Sequence, residues 1–249
     1  MFKITDRLFA FHFTMWLRRM PLHIFLFFTG MFLVVNFSQA TESDFTKARE
    51  RMVEEDLISR DIEDRKVLEA MRKVPRHLLM DEDLRDGAYD DRPIRMAERQ
   101  TITQPYIVAL MTQYLKVSPG EKILEIGTGS GYQAAVLAEL TDNVYTIEIK
   151  KRIFEKAGSR LKKIGYHNIK LKHGDGYLGW SEHAPFDAII ITAAVNKIPP
   201  LLVKQLKIGG RILLPLGRVL TLVTKKEKEL TSRRLMGVIF DRMTGMALE

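Results

Sequence analysis

The sequence predicts an α/β fold: a mostly parallel sheet with helices on both faces, a helical N-terminal prefix and an antiparallel C-terminal edge. Three observations predict it. From residue 121 onward, short β-branched runs alternate with helical stretches, the rhythm of strands and crossover helices. The strand candidates are apolar without interruption, as strands covered on both faces must be. The first of them, KILEI, runs directly into the glycine-rich GTGSG and then a helical pattern, so a tight turn joins strand to helix.

Taken in order, the chain divides into residues 1–40, 41–120 and 121–249. From Met20 to Thr41 there is no Asp, Glu, Lys or Arg, Arg18-Arg19 stand just before the run, and Ser38-Gln39-Ala40 just after. A positive flank, an apolar centre and small terminal residues make the signal-peptide pattern, with cleavage expected after Ala40. The run is also near the ~20 residues that span a bilayer, so a retained anchor is the alternative. Either form places the following chain outside the cytosol, in the periplasm or an equivalent exported compartment. A later start, for example at Met52, leaves a cytoplasmic protein.

Residues 44–84 are charged and helical in pattern. In DRKVLEAMRKV, the apolar Val67, Leu68, Met71 and Val74 fall at helix spacing and Pro75 stops the run. Their role is to pack one helix face on the following domain. The stretch ERQTITQPY, residues 98–106, differs from both flanks: Thr101 and Thr103 bracket a buried-looking Ile102, and Gln104-Pro105 close it before the helical IVALMTQYL. Beyond it, KILEIG, NVYTIEI, IKLKHGD, DAIIITAA and GRILLPLG are strand candidates. Helices near 132–140, 150–164 and 199–206 separate them. TLVTKK and LMGVIF, joined by the polar KEKELTSR, make the antiparallel edge.

Composition excludes several chemistries. The 249 residues contain no cysteine, which removes disulfides, thiolate metal sites and cysteine nucleophiles. The six histidines form no ligand-spaced cluster, so no metal is expected; His77, His173 and His183 read as packing or surface residues. Of the net charge of +8, three units lie in residues 1–40 (Lys3, Arg7, Arg18 and Arg19 against Asp6), outside any globular domain.

The strongest chemical signal is a nucleoside site. Gly127, Gly129 and Gly131, with Thr128 and Ser130 between them, follow a strand and precede a helix, so backbone N–H groups can approach a ligand closely. The next strand ends in Glu148, 21 residues after Gly127, where a carboxylate can accept from both ribose hydroxyls. The loop is neither G-x-G-x-x-G nor a P-loop with its Lys-Ser/Thr. The preceding Glu125 is ill suited to a pyrophosphate but suits a ligand carrying an ammonium and a sulfonium. Asp175, in Gly174-Asp175-Gly176 at the end of the third strand, can accept from an adenine amine. Together these favour S-adenosyl-L-methionine.

The chain resembles the protein-L-isoaspartate O-methyltransferases, protein-repair enzymes with the Rossmann-like fold of SAM-dependent methyltransferases. The resemblance runs from about Arg49 to Gly217. It rests on RERMVEEDLI, VLEAMRKVPRHL, AYDD, QTITQPYIVA, ILEIGTGSGYQAAVLA, HGDGYLGW, PFDAIIITAA and IPPLLVKQLKIGGRILLPLG. It implies that QTITQP covers the cofactor, that Thr101 joins Gly127, Thr128, Gly129, Ser130, Gly131, Glu148, Asp175 and Gly176 in binding it, and that Thr103 stands at the family's catalytic serine. It further implies a monomer acting on isoaspartyl-containing proteins and peptides, whose methyl ester collapses to a succinimide. The sequence departs from the family pattern at Arg99, where glycine is usual, at Asp81, and at Asp241-Arg242, where Val-Pro is usual.

Other classes fit less well. A nucleic-acid methyltransferase is suggested by the basic KKRIFEKAGSRLKKIG, but its Ile153, Phe154, Ala157, Leu161 and Ile164 form a core face and the charges a solvated one. The segment ITAAVNKIPPLL lacks the Asn/Asp-Pro-Pro-aromatic pattern of base-amino methylation. An exported, non-catalytic SAM-binding protein is the non-enzymatic alternative, since SAM is made in the cytosol.

Overall fold

A capping box opens the folded chain: Thr41 Oγ1 accepts from Asp44 N at 3.3 Å while Thr41 N donates to the Asp44 carboxylate at 3.0 Å. The computed structural model describes residues 40–96 and 100–246. The leader or anchor segment and Arg99 lie outside the described residues, and elements are numbered here over the described ones.

Helix α1 (Glu42–Arg51) passes into a π-helical turn, Met52–Ile58, which buries Met52, Val53 and Leu57. Helix α2 (Arg65–Lys73) is capped by Asp64 and buries Val67, Leu68, Ala70 and Met71. It stops where expected. Val74, ahead of Pro75, is pushed to the extended ψ of 118°, which the proline ring requires of its predecessor. The rest of the prefix is less helical than its pattern suggests. Residues 76–79 and 82–87 are short 3-10 turns around two fully buried polar side chains. Arg76 Nε donates to Ala88 O at 2.8 Å, and its guanidinium lies 4.6 Å from the Tyr132 ring centroid. His77 stacks on Phe45 and meets the Tyr89 hydroxyl at 2.8 Å, a packing role.

A two-stranded hairpin follows, β1 (Ile94–Met96) against β2 (Gln100–Ile102), and then α3 (Pro105–Leu115). Next come β3 (Lys122–Ile126), α4 (Tyr132–Ala138), β4 (Asn143–Glu148), α5 (Lys151–Lys163), β5 (Lys170–His173) and β6 (Phe186–Ile191). The chain finishes with α6 (Pro200–Lys204), β7 (Leu206–Leu216), β8 (Val219–Lys225) and β9 (Leu230–Gly237). The seven-stranded sheet has the order β5-β4-β3-β6-β7-β8-β9, parallel through β7 and antiparallel thereafter.

Side-chain alternation divides the interior in two. Ile123, Val144, Ala188, Ile190 and Leu213 point into one core, shared with the prefix helices and α3. Leu124, Ile147, Ile189, Ile191, Ile212 and Leu214 point into the other, beneath α6 and Trp180. The central strands β3, β4 and β6 are buried on both faces, which is why their sequences are mostly apolar rather than alternating. Because the prefix shares the first core, Ala40–Glu249 forms one compact unit.

The C-terminal edge differs in register from the sequence reading. The polar connection is only a four-residue turn, closed by Lys226 N to Glu229 O at 2.8 Å, and β9 starts at Leu230. LTSR is strand, and VIF (238–240) lies beyond the strand end. Residues 230–234 are exposed, so β9 has no apolar face to mark it; hairpin pairing alone defines it.

Candidate active site

The chain turns from β3 to β4 on one side and reaches β6 on the other, so the carboxyl ends of β3 and β6 diverge at the switch point of the sheet. A cavity of about 1210 Å3 lies there. Its floor is the loop after β3. Gly127, Gly129 and Gly131 have φ of 98°, 53° and 89°, all in the left-handed region where glycine alone is unstrained. A Cβ on Gly127 would stand 2.5 Å from Thr192 Oγ1, and one on Gly176 would stand 2.3 Å from Ile126 Cγ2. The cradle therefore requires bare backbone at both places.

Thr192 joins the two diverging strands. Its hydroxyl bridges Ile126 O at 3.0 Å and Gly127 O at 2.8 Å. Sequence reasoning passed over it, since a threonine at a strand end carries no distinctive signal.

Glu148 is 3% exposed and lines the cavity. Its Oε2 accepts from Gly129 N at 2.9 Å and its Oε1 from Lys150 N at 3.0 Å. Each oxygen keeps a lone pair, and the carboxylate is locked in one orientation. Glu125 sits opposite Thr146 in the β3–β4 ladder and is fully buried. Thr146 Oγ1 donates to Glu125 Oε2 at 2.5 Å and meets Thr128 Oγ1 at 2.7 Å, whereas Glu125 Oε1 has no partner. Burial, reinforced by the nearby Glu148 charge, pushes the Glu125 carboxyl up to about 8 against the opposing pull of Thr146. It carries a proton at neutral pH. Glu125 is among the residues lining the cavity, and a buried acid with an unpaired oxygen there is a candidate for contact with a hydrogen-bonding ligand.

The hairpin and Thr103 form the roof. Thr101 pairs with Arg95 across the hairpin, and its hydroxyl donates to Asp241 Oδ2 at 3.2 Å. Ile102 is buried, as its flanks suggest. Thr103 lines the cavity, and its hydroxyl makes no hydrogen bond among the described residues. Asp91 fixes the far end of the roof. It takes Gln104 Nε2 at 2.7 Å, Tyr106 N at 3.1 Å and the Arg60 guanidinium at 2.9 Å. Its only trace in the sequence is the second aspartate of AYDD.

Two of the expected binding residues are not among those lining the cavity. Gly131 does not line the cavity; Leu161 would lie 3.0 Å from its Cβ, so its lack of a side chain serves α4–α5 packing. Asp175 also stands off the cavity wall, which Gly176 supplies. Its Oδ1 accepts from Tyr177 N at 2.9 Å and its Oδ2 from Met246 N at 2.8 Å, so it caps a turn and ties down the C-terminal segment. Thr101, Thr103, Gly127, Thr128, Gly129, Ser130, Glu148 and Gly176 do converge on one cavity.

Comparison with known proteins gives a consistent result. The sequence model of a family described as "Protein-L-isoaspartate(D-aspartate) O-methyltransferase (PCMT)" matches residues 47–247. The chain is 53% identical over 210 residues to protein-L-isoaspartate O-methyltransferase 2 of Shewanella sediminis, covering 82% of this chain and 86% of that one. It is 51% identical over 217 residues to the protein-L-isoaspartate O-methyltransferase of Opitutus terrae, covering 85% and 93%. Among solved structures, a protein-L-isoaspartate O-methyltransferase superposes with a TM-score of 0.72 at 28% identity, covering 79% of this chain and 66% of that one. A putative enzyme of that name from Plasmodium falciparum, solved with S-adenosyl-L-homocysteine, superposes with a TM-score of 0.70 at 25% identity, covering 79% and 98%.

Proposed function

The chain belongs to the protein-L-isoaspartate(D-aspartate) O-methyltransferase family, and from that premise we propose how its residues divide the work of methyl transfer. It is an S-adenosylmethionine-dependent enzyme that methylates the free α-carboxylate of L-isoaspartyl residues in damaged proteins, starting their repair.

The cavity residues fit the cofactor. The two glycines whose Cβ positions are filled, Gly127 and Gly176, leave backbone exposed for close approach. Glu148 offers a fixed pair of acceptors to a ribose diol, and Glu125 Oε1 offers an orphaned oxygen to an ammonium. Bound S-adenosylmethionine supplies a methyl group already activated on a sulfonium.

The acceptor needs no general base. An α-carboxyl group titrates near ~3.3–3.7, so it is ionised at neutral pH and already nucleophilic. What remains for the chain is orientation and exclusion of water. Orientation of reacting groups can contribute on the order of 7–11 kcal/mol. Thr103 is the orienting group: of the two roof threonines, Thr101 is committed to Asp241 while Thr103 keeps a free hydroxyl facing the cavity. That contrast carries the assignment. The Asp91 staple and the Thr101–Asp241 bond hold the roof over the site.

The test is methylation by the purified full-length protein of matched isoaspartyl and aspartyl peptides with labelled S-adenosylmethionine. The isoaspartyl peptide should take label and the aspartyl peptide little, because its free carboxylate sits one methylene elsewhere. Label entering RNA or DNA while both peptides stay unlabelled overturns the reading. Residues 1–40, outside the described residues, are proposed from their sequence to export or anchor the enzyme. Recovery of intact chain in soluble cytosol contradicts this.

A further inference from the structure

The cavity has a basic mouth. Three arginines line it, Arg95, Arg218 and Arg242, and none forms an ion pair among the described residues. Each is exposed, and they come from separate parts of the chain.

Backbone pairing nevertheless joins them into one rim. Arg95 lies opposite Thr101 in the hairpin, and Thr101 is bonded to Asp241, the neighbour of Arg242. Ala194 N donates to Asp241 O at 2.8 Å, and Ala194 is bridged to Arg242. The next residue, Val195, accepts from Gly217 N at 2.7 Å, and Arg218 O accepts from Val238 N at 2.9 Å. Two further observations bear on what this rim meets. The cavity of about 1210 Å3 exceeds the ~300–1,000 Å3 usual for a single small ligand, leaving room for a stretch of acceptor chain. Beside the arginines, Ile239 is 93% exposed, an apolar contact suited to a polypeptide.

We propose that Arg95, Arg218 and Arg242 form a specificity rim that favours isoaspartyl sites flanked by acidic residues. The inference rests on the isoaspartyl reading of this cavity and extends it to the neighbouring residues of the substrate. Successive residues of an extended chain advance ~3.3–3.6 Å, so side chains next to the reacting residue hang over the mouth. Guanidinium groups there can take a carboxylate in a planar, two-point contact. Among the described residues the opposing charges are Asp241 at the rim and Glu148, buried beneath. The rim therefore carries a positive excess where the substrate passes.

The experiment compares kcat/KM for isoaspartyl peptides identical except for flanking Glu, Gln or Lys, at low and high salt. The expected order is Glu, then Gln, then Lys. Exposed ion pairs of this kind amount to about a 1.5- to fivefold preference for Glu over Gln, expressed in KM and largely lost at high salt. The triple variant Arg95→Gln/Arg218→Gln/Arg242→Gln should abolish the preference while methylating the Gln peptide at the wild-type rate. Arg218→Lys/Arg242→Lys should keep part of it. Equal rates on all three peptides, a Lys preference, or a Glu preference surviving in the Gln variant each overturn the rim. If no isoaspartyl peptide is methylated at all, the acceptor reading fails and the rim falls with it.

Discussion

Thr101 Oγ1 donates to Asp241 Oδ2 across 3.2 Å, joining the roof of the active site to the C-terminal segment 140 residues away in sequence. The pair is exposed, and removing it should change global stability by less than ~0.5 kcal/mol. Its effect should appear locally, as faster amide exchange at residues 100–103 in Asp241→Ala. In a double-mutant cycle on kcat/KM, Thr101→Val and Asp241→Ala should be non-additive by about 0.5–1.5 kcal/mol. Strict additivity means the two side chains do not act together.

Thr103 is the complementary case, a cavity-lining threonine whose hydroxyl has no hydrogen-bond partner among the described residues and which we propose orients the acceptor. Thr103→Ser keeps the hydroxyl and should remain active. Thr103→Val keeps the shape and should lose roughly ten- to a hundredfold in rate, the worth of one hydrogen bond to a charged group. Cofactor affinity should change less than the rate. A wild-type rate in Thr103→Val removes it from the acceptor site.

Glu148 is held by two backbone amides, so its loss should be felt by the cofactor rather than by the acceptor. Glu148→Ala should weaken S-adenosylmethionine binding by about 1.5–3 kcal/mol by calorimetry. Unchanged affinity in a folded variant would show that the diol is bound elsewhere.

Glu125 makes stability depend on pH. Its folded-state value is raised to about 8, whereas the unfolded chain titrates near 4.5. Between these limits the folded state holds a proton that the unfolded state has released, so stability falls as pH rises. The contribution is complete below pH 4.5 and gone above about 8. In urea unfolding of the cofactor-free protein, wild type should lose roughly 1 kcal/mol per pH unit across this window relative to Glu125→Gln. Parallel curves for the two proteins from pH 5 to 8 would mean that the carboxyl is already ionised in the fold.

The fold was legible in the sequence, and so was the convergence of the glycine loop and Glu148 on one place. Both are written in local pattern. Short β-branched runs such as AIII, alternating with helical stretches, mark strands covered on both faces, and a strand, GTGSG and a helix in succession favour a tight turn with bare backbone. Glu148 was legible for the same reason, because its distance from Gly127 is measured along one βαβ unit. The QTITQP loop was legible only through family resemblance, since nothing local distinguishes Thr103 from Thr101. Tertiary structure decided everything that depends on contacts between distant segments. It gave Thr101 to Asp241 and left Thr103 without a partner, made Asp91 the staple of the roof, and engaged Asp175 with the backbone of Tyr177 and Met246. It also began β9 at Leu230, because pairing with β8, and not any apolar alternation, defines an exposed edge strand. Hydrogen bonds between residues far apart in the chain leave no periodicity behind, so only the folded arrangement reveals which carboxylate holds, which one caps and which one waits for a ligand.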